Sequence, residues 1–102
     1  MVKKARLEVA WDKMAYASFQ QACDYIREES AVNAEKVRKE ILKIIHSLPD
    51  HPEKYPRDKF KKDNQGQHRA FEKYSYRVAY MVTPTEIIIL RIRHVKQEPK
   101  TY

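Results

Sequence analysis

Glycine and cysteine are almost missing from this 102-residue chain, which has only Gly66 and Cys23. One glycine cannot build a phosphate-cradling loop, which needs several residues able to bring backbone close to an anion. One cysteine excludes a disulfide within the chain and the thiolate pairs of structural zinc sites. Cys23 falls at an apolar helical position, where a lone thiol usually serves as a small buried filler. His46, His51, His68 and His94 show no zinc spacing, so no metal or other cofactor is expected. No nucleophile elbow supports a Ser-His-Asp hydrolase. Repeats and low-complexity tracts are absent. The longest apolar run, Ile87-Ile88-Ile89-Leu90, is strand-sized and far short of the ~20 residues of a membrane span. Met1-Val2-Lys3-Lys4 leads into an alternating segment and not into the apolar core of a signal peptide. The expectation is a single domain over residues 1–102, cytoplasmic and without membrane contact.

Positive charge is what the chain has in excess, at a formal +7. Its placement is uneven. Residues 1–53 carry 9 Lys and Arg against 9 Asp and Glu, whereas residues 54–102 carry 12 against 5. A one-sided basic region suits a polyanionic partner, nucleic acid or an acidic protein. It also suits a merely solvated surface.

Periodicity divides the chain. Residues 5–11 alternate, with Leu7, Val9 and Trp11 on one face, as in a half-buried strand. Asp12 is a helix N-cap, and Ala15, Phe19, Ala22, Cys23 and Ile26 recur at helical spacing over about 13–29. Ser30 can cap a second helix with the stripe Ala34, Val37, Ile41, Ile44, Ile45 and Leu48, which Pro49 ends. Residues 49–66 read as a loop, with Pro49, Pro52 and Pro56 denying regular structure and a basic centre at Lys59-Phe60-Lys61-Lys62. Three strands follow: Gln67–Tyr74, Tyr76–Val82 and, after the turn Thr83-Pro84-Thr85-Glu86, Ile87–Arg93. In the last strand, strict alternation sets Ile88, Leu90 and Ile92 toward the helices, and Arg91 and Arg93 on the other side with Ile87 and Ile89. His94 to Tyr102 reads as a polar tail, with Pro99 arguing against further pairing. The fold class is α+β in the order β-α-α-β-β-β: an antiparallel sheet with a helical hairpin on one face.

The opposite face is expected to gather cations. The candidates are Arg69, Lys73, Arg77, Arg91, Arg93 and His94, with Lys61 and Lys62 as diffuse contacts and Tyr102 close by. Internal RNA cleavage needs a base for the 2′-hydroxyl, cations for the phosphorane and an acid for the leaving oxygen. Arginine forks suit phosphate oxygens, histidine can exchange a proton near neutrality, and tyrosine can stack on a base or relay a proton. Structural readings compete. Arg77 can pair with Glu72 across strands, Arg91 and Arg93 can be solvated strand positions, Tyr80 suits the core, and Tyr102 can fray.

Arg69-Ala70-Phe71, the strand Tyr76-Arg77-Val78-Ala79-Tyr80 and the segment Ile87 to Arg93-His94 resemble the C-terminal half of RelE/ParE toxins. Trp11, Cys23-Asp24-Tyr25-Ile26 and Leu48-Pro49-Asp50-His51-Pro52 extend the resemblance over nearly the whole chain. It implies the toxin of a bacterial type II toxin–antitoxin module, with a cognate antitoxin that carries an acidic segment. One branch cleaves mRNA in the ribosome, and the other poisons DNA gyrase without nuclease chemistry. On the ribonuclease branch, the resemblance implies Arg77 on the scissile phosphate, with His94 or Tyr102 in proton transfer. Arg69, Lys73, Arg91, Arg93, Lys61 and Lys62 would contact RNA. A lysine pair known in some ribonucleases has no clear match, and the carboxylate base of another subgroup has no secure match, with Asp58 and Glu72 as candidates. The leading expectation is a metal-independent, ribosome-dependent mRNA endoribonuclease, with a gyrase poison as the alternative.

Overall fold

The structure, a computed structural model, describes residues 6–97 and 101–102. Strand β1 (Glu8–Trp11) leads into helix α1 (Lys13–Glu29). The Asp12 carboxylate caps α1 by accepting from the Met14 and Ala15 amides at 2.9 and 3.3 Å. Ser30 ends α1 and starts α2 (Ala31–Ser47): its amide donates to Ile26, and its hydroxyl accepts from Asn33. One residue in extended conformation therefore reverses the chain into the expected hairpin. The helices bury the stripes Ala15, Phe19, Cys23 and Ala34, Ile41, Ile45, so Cys23 is indeed core filler. Pro49 lies in a short 3-10 turn, Leu48–Asp50.

Strands β2 (His68–Lys73), β3 (Tyr76–Val82) and β4 (Glu86–His94) form the antiparallel meander. β1 adds to β4 in parallel, which makes the sheet mixed with order β1-β4-β3-β2. The β1 pattern read from residue 5 is shorter in the structure, and Ala5 lies outside the described residues. Tyr74 and Ser75 turn β2 into β3 at φ 52° and 66°. This is the left-handed pair that tight hairpins need.

The core lies between the hairpin and one face of the sheet, where Phe71, Tyr76, Val78, Tyr80, Ile87, Ile89 and Ile92 are buried. Tyr80 is fully buried and donates to the Pro52 carbonyl at 2.9 Å, the expected core role.

Strict alternation fails in β4. The register jumps between Ala79 and Tyr80, whose partners are Arg91 and Ile89, so Leu90 is a bulged extra residue. A bulge puts two residues opposite one and reverses the parity beyond it. Ile87, Ile89 and Ile92 therefore face the core, correcting the expected set of Ile88, Leu90 and Ile92. Arg91 and Arg93 still fall on the open face, opposite Ala79 and Arg77.

A cation site beneath a strapped loop

The segment expected to be a plain loop is tied to the sheet. The Asp58 amide donates to His68 O at 2.9 Å and Ala70 N donates to Pro56 O at 3.2 Å. With the bridge between Arg57 and Arg69, this continues the sheet past β2. On the core side the Arg69 guanidinium donates to the carbonyls of Gly66, Tyr55 and, at 3.4 Å, Glu53. Arg69 is paired with Tyr80 and so faces away from the arginine patch. Sequence reasoning placed it in that patch, yet its donors staple the loop.

After Asp58 the chain crosses onto the open face. Asp58 is buried at 3% exposure. Its carboxylate accepts from Arg77 Nη2 at 2.9 Å, Tyr102 Oη at 2.6 Å and the Phe60 amide at 3.0 Å. Burial alone would raise its pKa, but the hydrogen bonds from Tyr102, Arg77 and the Phe60 amide outweigh burial and lower it. Burial and the carboxylate beside Tyr102 push its phenol well above the ordinary tyrosine value. Arg77 also donates to Glu72 at 3.0 Å and lies over the Phe60 ring at 4.8 Å. The cross-strand pair with Glu72 is real, and Asp58 is a second anion beyond it.

Tyr102 is not frayed. Its amide donates to Phe60 O at 2.9 Å, and Lys61 Nζ donates to its carbonyl at 2.8 Å. Its ring lies 4.3 Å from the Arg91 guanidinium carbon and 5.1 Å from Lys61 Nζ, with His68 edge-on. The expected absence of pairing in the tail is thus corrected at Tyr102, while Pro99 lies outside the described residues. Buried His68 has a lowered pKa, from desolvation first and the Lys61 charge second.

These groups enclose a cavity of about 180 Å³ on the open face, lined by Asp58, Phe60, Arg77, Arg91, Arg93 and Tyr102 among others. The structure therefore brings together Arg77, Arg91, Arg93, Tyr102 and Lys61. It separates the rest. His94 borders the cavity, but its ring stands edge-on to Tyr76, its partner on the core side of the sheet, at 5.2 Å. Lys73 lies at the hairpin turn with Nζ over Tyr74 at 4.8 Å, and Lys62 is exposed. Sequence reasoning offered Asp58 only as an optional base and passed over Phe60 and His68. A lone aspartate in a proline-rich segment carries no local sign that it will meet an arginine 19 positions later.

The family described as the ParE toxin of the type II toxin–antitoxin system parDE matches residues 9–99. The fold is similar to that in the chromosomal ParDE system from P. aeruginosa, with TM-score 0.67 and 20% identity over 87% of this chain and 96% of that one. It is also similar to the YoeB dimer from Staphylococcus aureus, with TM-score 0.59 and 18% identity over 88% and 98%. No curated protein matches.

Proposed function

The chain belongs to the ParE toxin family of type II toxin–antitoxin systems, and from that premise we propose that it acts by binding, as a poison of DNA gyrase, and not by cutting mRNA. The observation that carries this reading is the closed Asp58–Arg77–Tyr102 cluster. RNA cleavage needs a base and an acid whose pKa values lie near working pH. Asp58 is held ionised and is a weak base, while Tyr102 is held protonated and is a weak acid. Arg77 is gripped by two carboxylates and an aromatic face, and only 19% of its side chain is exposed. A guanidinium so held orders the loop above it and has little left to offer a phosphorane. The His94 ring leans on Tyr76, its cross-strand partner on the core side of the sheet. A rigid cationic surface, in contrast, needs no proton transfer to recognise a partner.

The deciding experiment adds purified protein to two reactions: supercoiling of relaxed plasmid by DNA gyrase, and translation of a reporter mRNA in a cell-free extract with mapping of mRNA 5′ ends. Loss of supercoiling with intact mRNA is expected. Ribosome-dependent mRNA cuts that vanish in a folded Arg77→Ala variant would overturn the proposal and restore the ribonuclease reading.

A further inference from the structure

The open face of the sheet differs from the rest of the surface in what it exposes. Among the described residues, the large exposed apolar side chains stand on the helices (Met14, Tyr16, Tyr25 and Val32) and at the hairpin tip (Tyr74), and only Val95 borders the cavity. The rim of the cavity is cationic. Arg91 and Arg93 rise from β4, and Lys59 comes from the loop. Lys61 reaches over the Tyr102 ring at 5.1 Å, and the Lys62 amide donates to the Tyr102 carbonyl at 3.4 Å. The carboxylates that line the cavity, Asp58 and Glu72, both pair with Arg77. Interfaces between proteins centre on apolar and aromatic side chains and are poor in lysine. Interfaces with nucleic acid are polar and strongly basic. This face is of the second kind.

Its aromatic rings narrow the choice of nucleic acid. Single strands are recognised by stacking their splayed bases on aromatic side chains. Here the Phe60 ring carries Arg77 at 4.8 Å and Lys59 at 5.2 Å, and the Tyr102 ring carries Arg91 at 4.3 Å and Lys61 at 5.1 Å. Each ring is already taken by two cations. The cavity of about 180 Å³ falls below the ~300–1,000 Å³ of small-molecule pockets but admits a single phosphate group. Cations on a rigid frame, with no ring to offer, contact phosphates and not bases. A duplex, whose bases stay stacked, is the form that suits them.

We propose that the open face is a sequence-independent site for the phosphate backbone of duplex DNA, and that gyrase poisoning uses it. The place of action rests on the gyrase reading above: the toxin sits against DNA that the enzyme holds, and not on the protein alone. The phosphate contacts are Lys59, Lys61 and Lys62 from the loop and Arg91 and Arg93 from β4. Arg77, neutralised by two carboxylates, keeps the loop in place and is a positioning residue.

The test follows a short labelled DNA duplex by fluorescence anisotropy across a salt series. Five cations that each meet one phosphate predict a slope of about −4.5 for log K against log salt. Replacing both Lys59→Gln and Lys62→Gln, at exposed positions, should bring the slope to about −2.7 and weaken binding roughly tenfold at moderate salt. Replacing both Lys39→Gln and Lys43→Gln, exposed on α2, removes the same charge from the helix side and should change neither. Equal weakening by the two double variants would mean bulk charge alone and would overturn the inference. So would tighter binding of single-stranded RNA of the same sequence. Supercoiling assays on the same preparations separate the site from the target. The Lys59→Gln, Lys62→Gln variant should need roughly tenfold more protein to inhibit gyrase, in step with its lost DNA affinity; unchanged inhibition would refute the use of this face in poisoning. A protein that binds the duplex as stated but spares gyrase refutes only the proposed target, and one that inhibits gyrase yet ignores DNA refutes this inference alone.

Discussion

Replacing Asp58 with asparagine keeps the size of a buried side chain but removes the charge that Arg77 and Tyr102 share. The carboxylate accepts three hydrogen bonds at 2.6–3.0 Å while 3% exposed. Breaking a buried ion pair from one side costs about 3–5 kcal/mol. Arg77 keeps Glu72 at 3.0 Å, which argues for the lower end, about 3 kcal/mol, and hence roughly 12–24 °C in melting temperature for a chain of this length. The pH dependence has a definite sign. The folded pKa of Asp58 is depressed, so its contribution is complete above the unfolded aspartate value of about 3.9 and drains away as pH falls through the lower folded value. Urea unfolding followed by circular dichroism, near neutrality and again below about pH 4, should show a large gap between parent and Asp58→Asn that narrows on acidification. A gap under about 0.5 kcal/mol near neutrality, the size expected of an ordinary surface change, would refute the account. So would a gap that does not narrow with acid.

Three further outcomes are expected. Burial, the main cause in each, raises the phenols of Tyr76, Tyr80 and Tyr102, Tyr80 up to about 12; these should titrate after the other tyrosines in phenolate absorbance, and Tyr102→Phe should delete one late step. The stability these three supply is present below about pH 10 and is lost as pH climbs through their folded values. Arg69→Ala should cost about 2–3 kcal/mol by leaving carbonyls of the strapped loop without donors, and hydrogen exchange should quicken over residues 53–66 more than in the helices. Cys23, 5% exposed with its thiol pKa raised by burial, should resist a thiol reagent until the protein is unfolded.

The helices were legible because their signals are local: Asp12 and Ser30 at the caps, and apolar stripes at helical spacing. The strands were legible from alternation and turn residues, and so was the face carrying Arg77. What escaped was whatever depends on contacts between distant segments. The parallel seat of β1 beside β4 leaves no mark in either segment. The bulge at Leu90 cannot be seen in Ile87-Ile88-Ile89-Leu90, where every residue suits a core. Counting by twos put the arginines on the right face and Ile92 in the core, but set Ile88 and Leu90 inward in place of Ile87 and Ile89. Arg69 and Arg77 are both arginines on adjacent strands, yet one staples carbonyls on the helix side and the other grips carboxylates on the open side. Only the register of β2 against β3 separates them. The cavity's centre, Asp58, sits where three prolines suggested an untethered loop, and its partners arrive from 19 and 44 positions away.

The extra residue in β4 also bears on how this strand tolerates changes in length. Removing Leu90 should leave each remaining side chain on its present side, because plain alternation from Ile89 to Arg91 would restore the same two faces. Adding a residue just before Arg91 would send Arg91 and Arg93 inward if the bulge stays, and if plain alternation replaces the bulge it would slide Arg91 from Ala79 to a place opposite Arg77, cation against cation. Lengthening the strand there is therefore far more dangerous than shortening it.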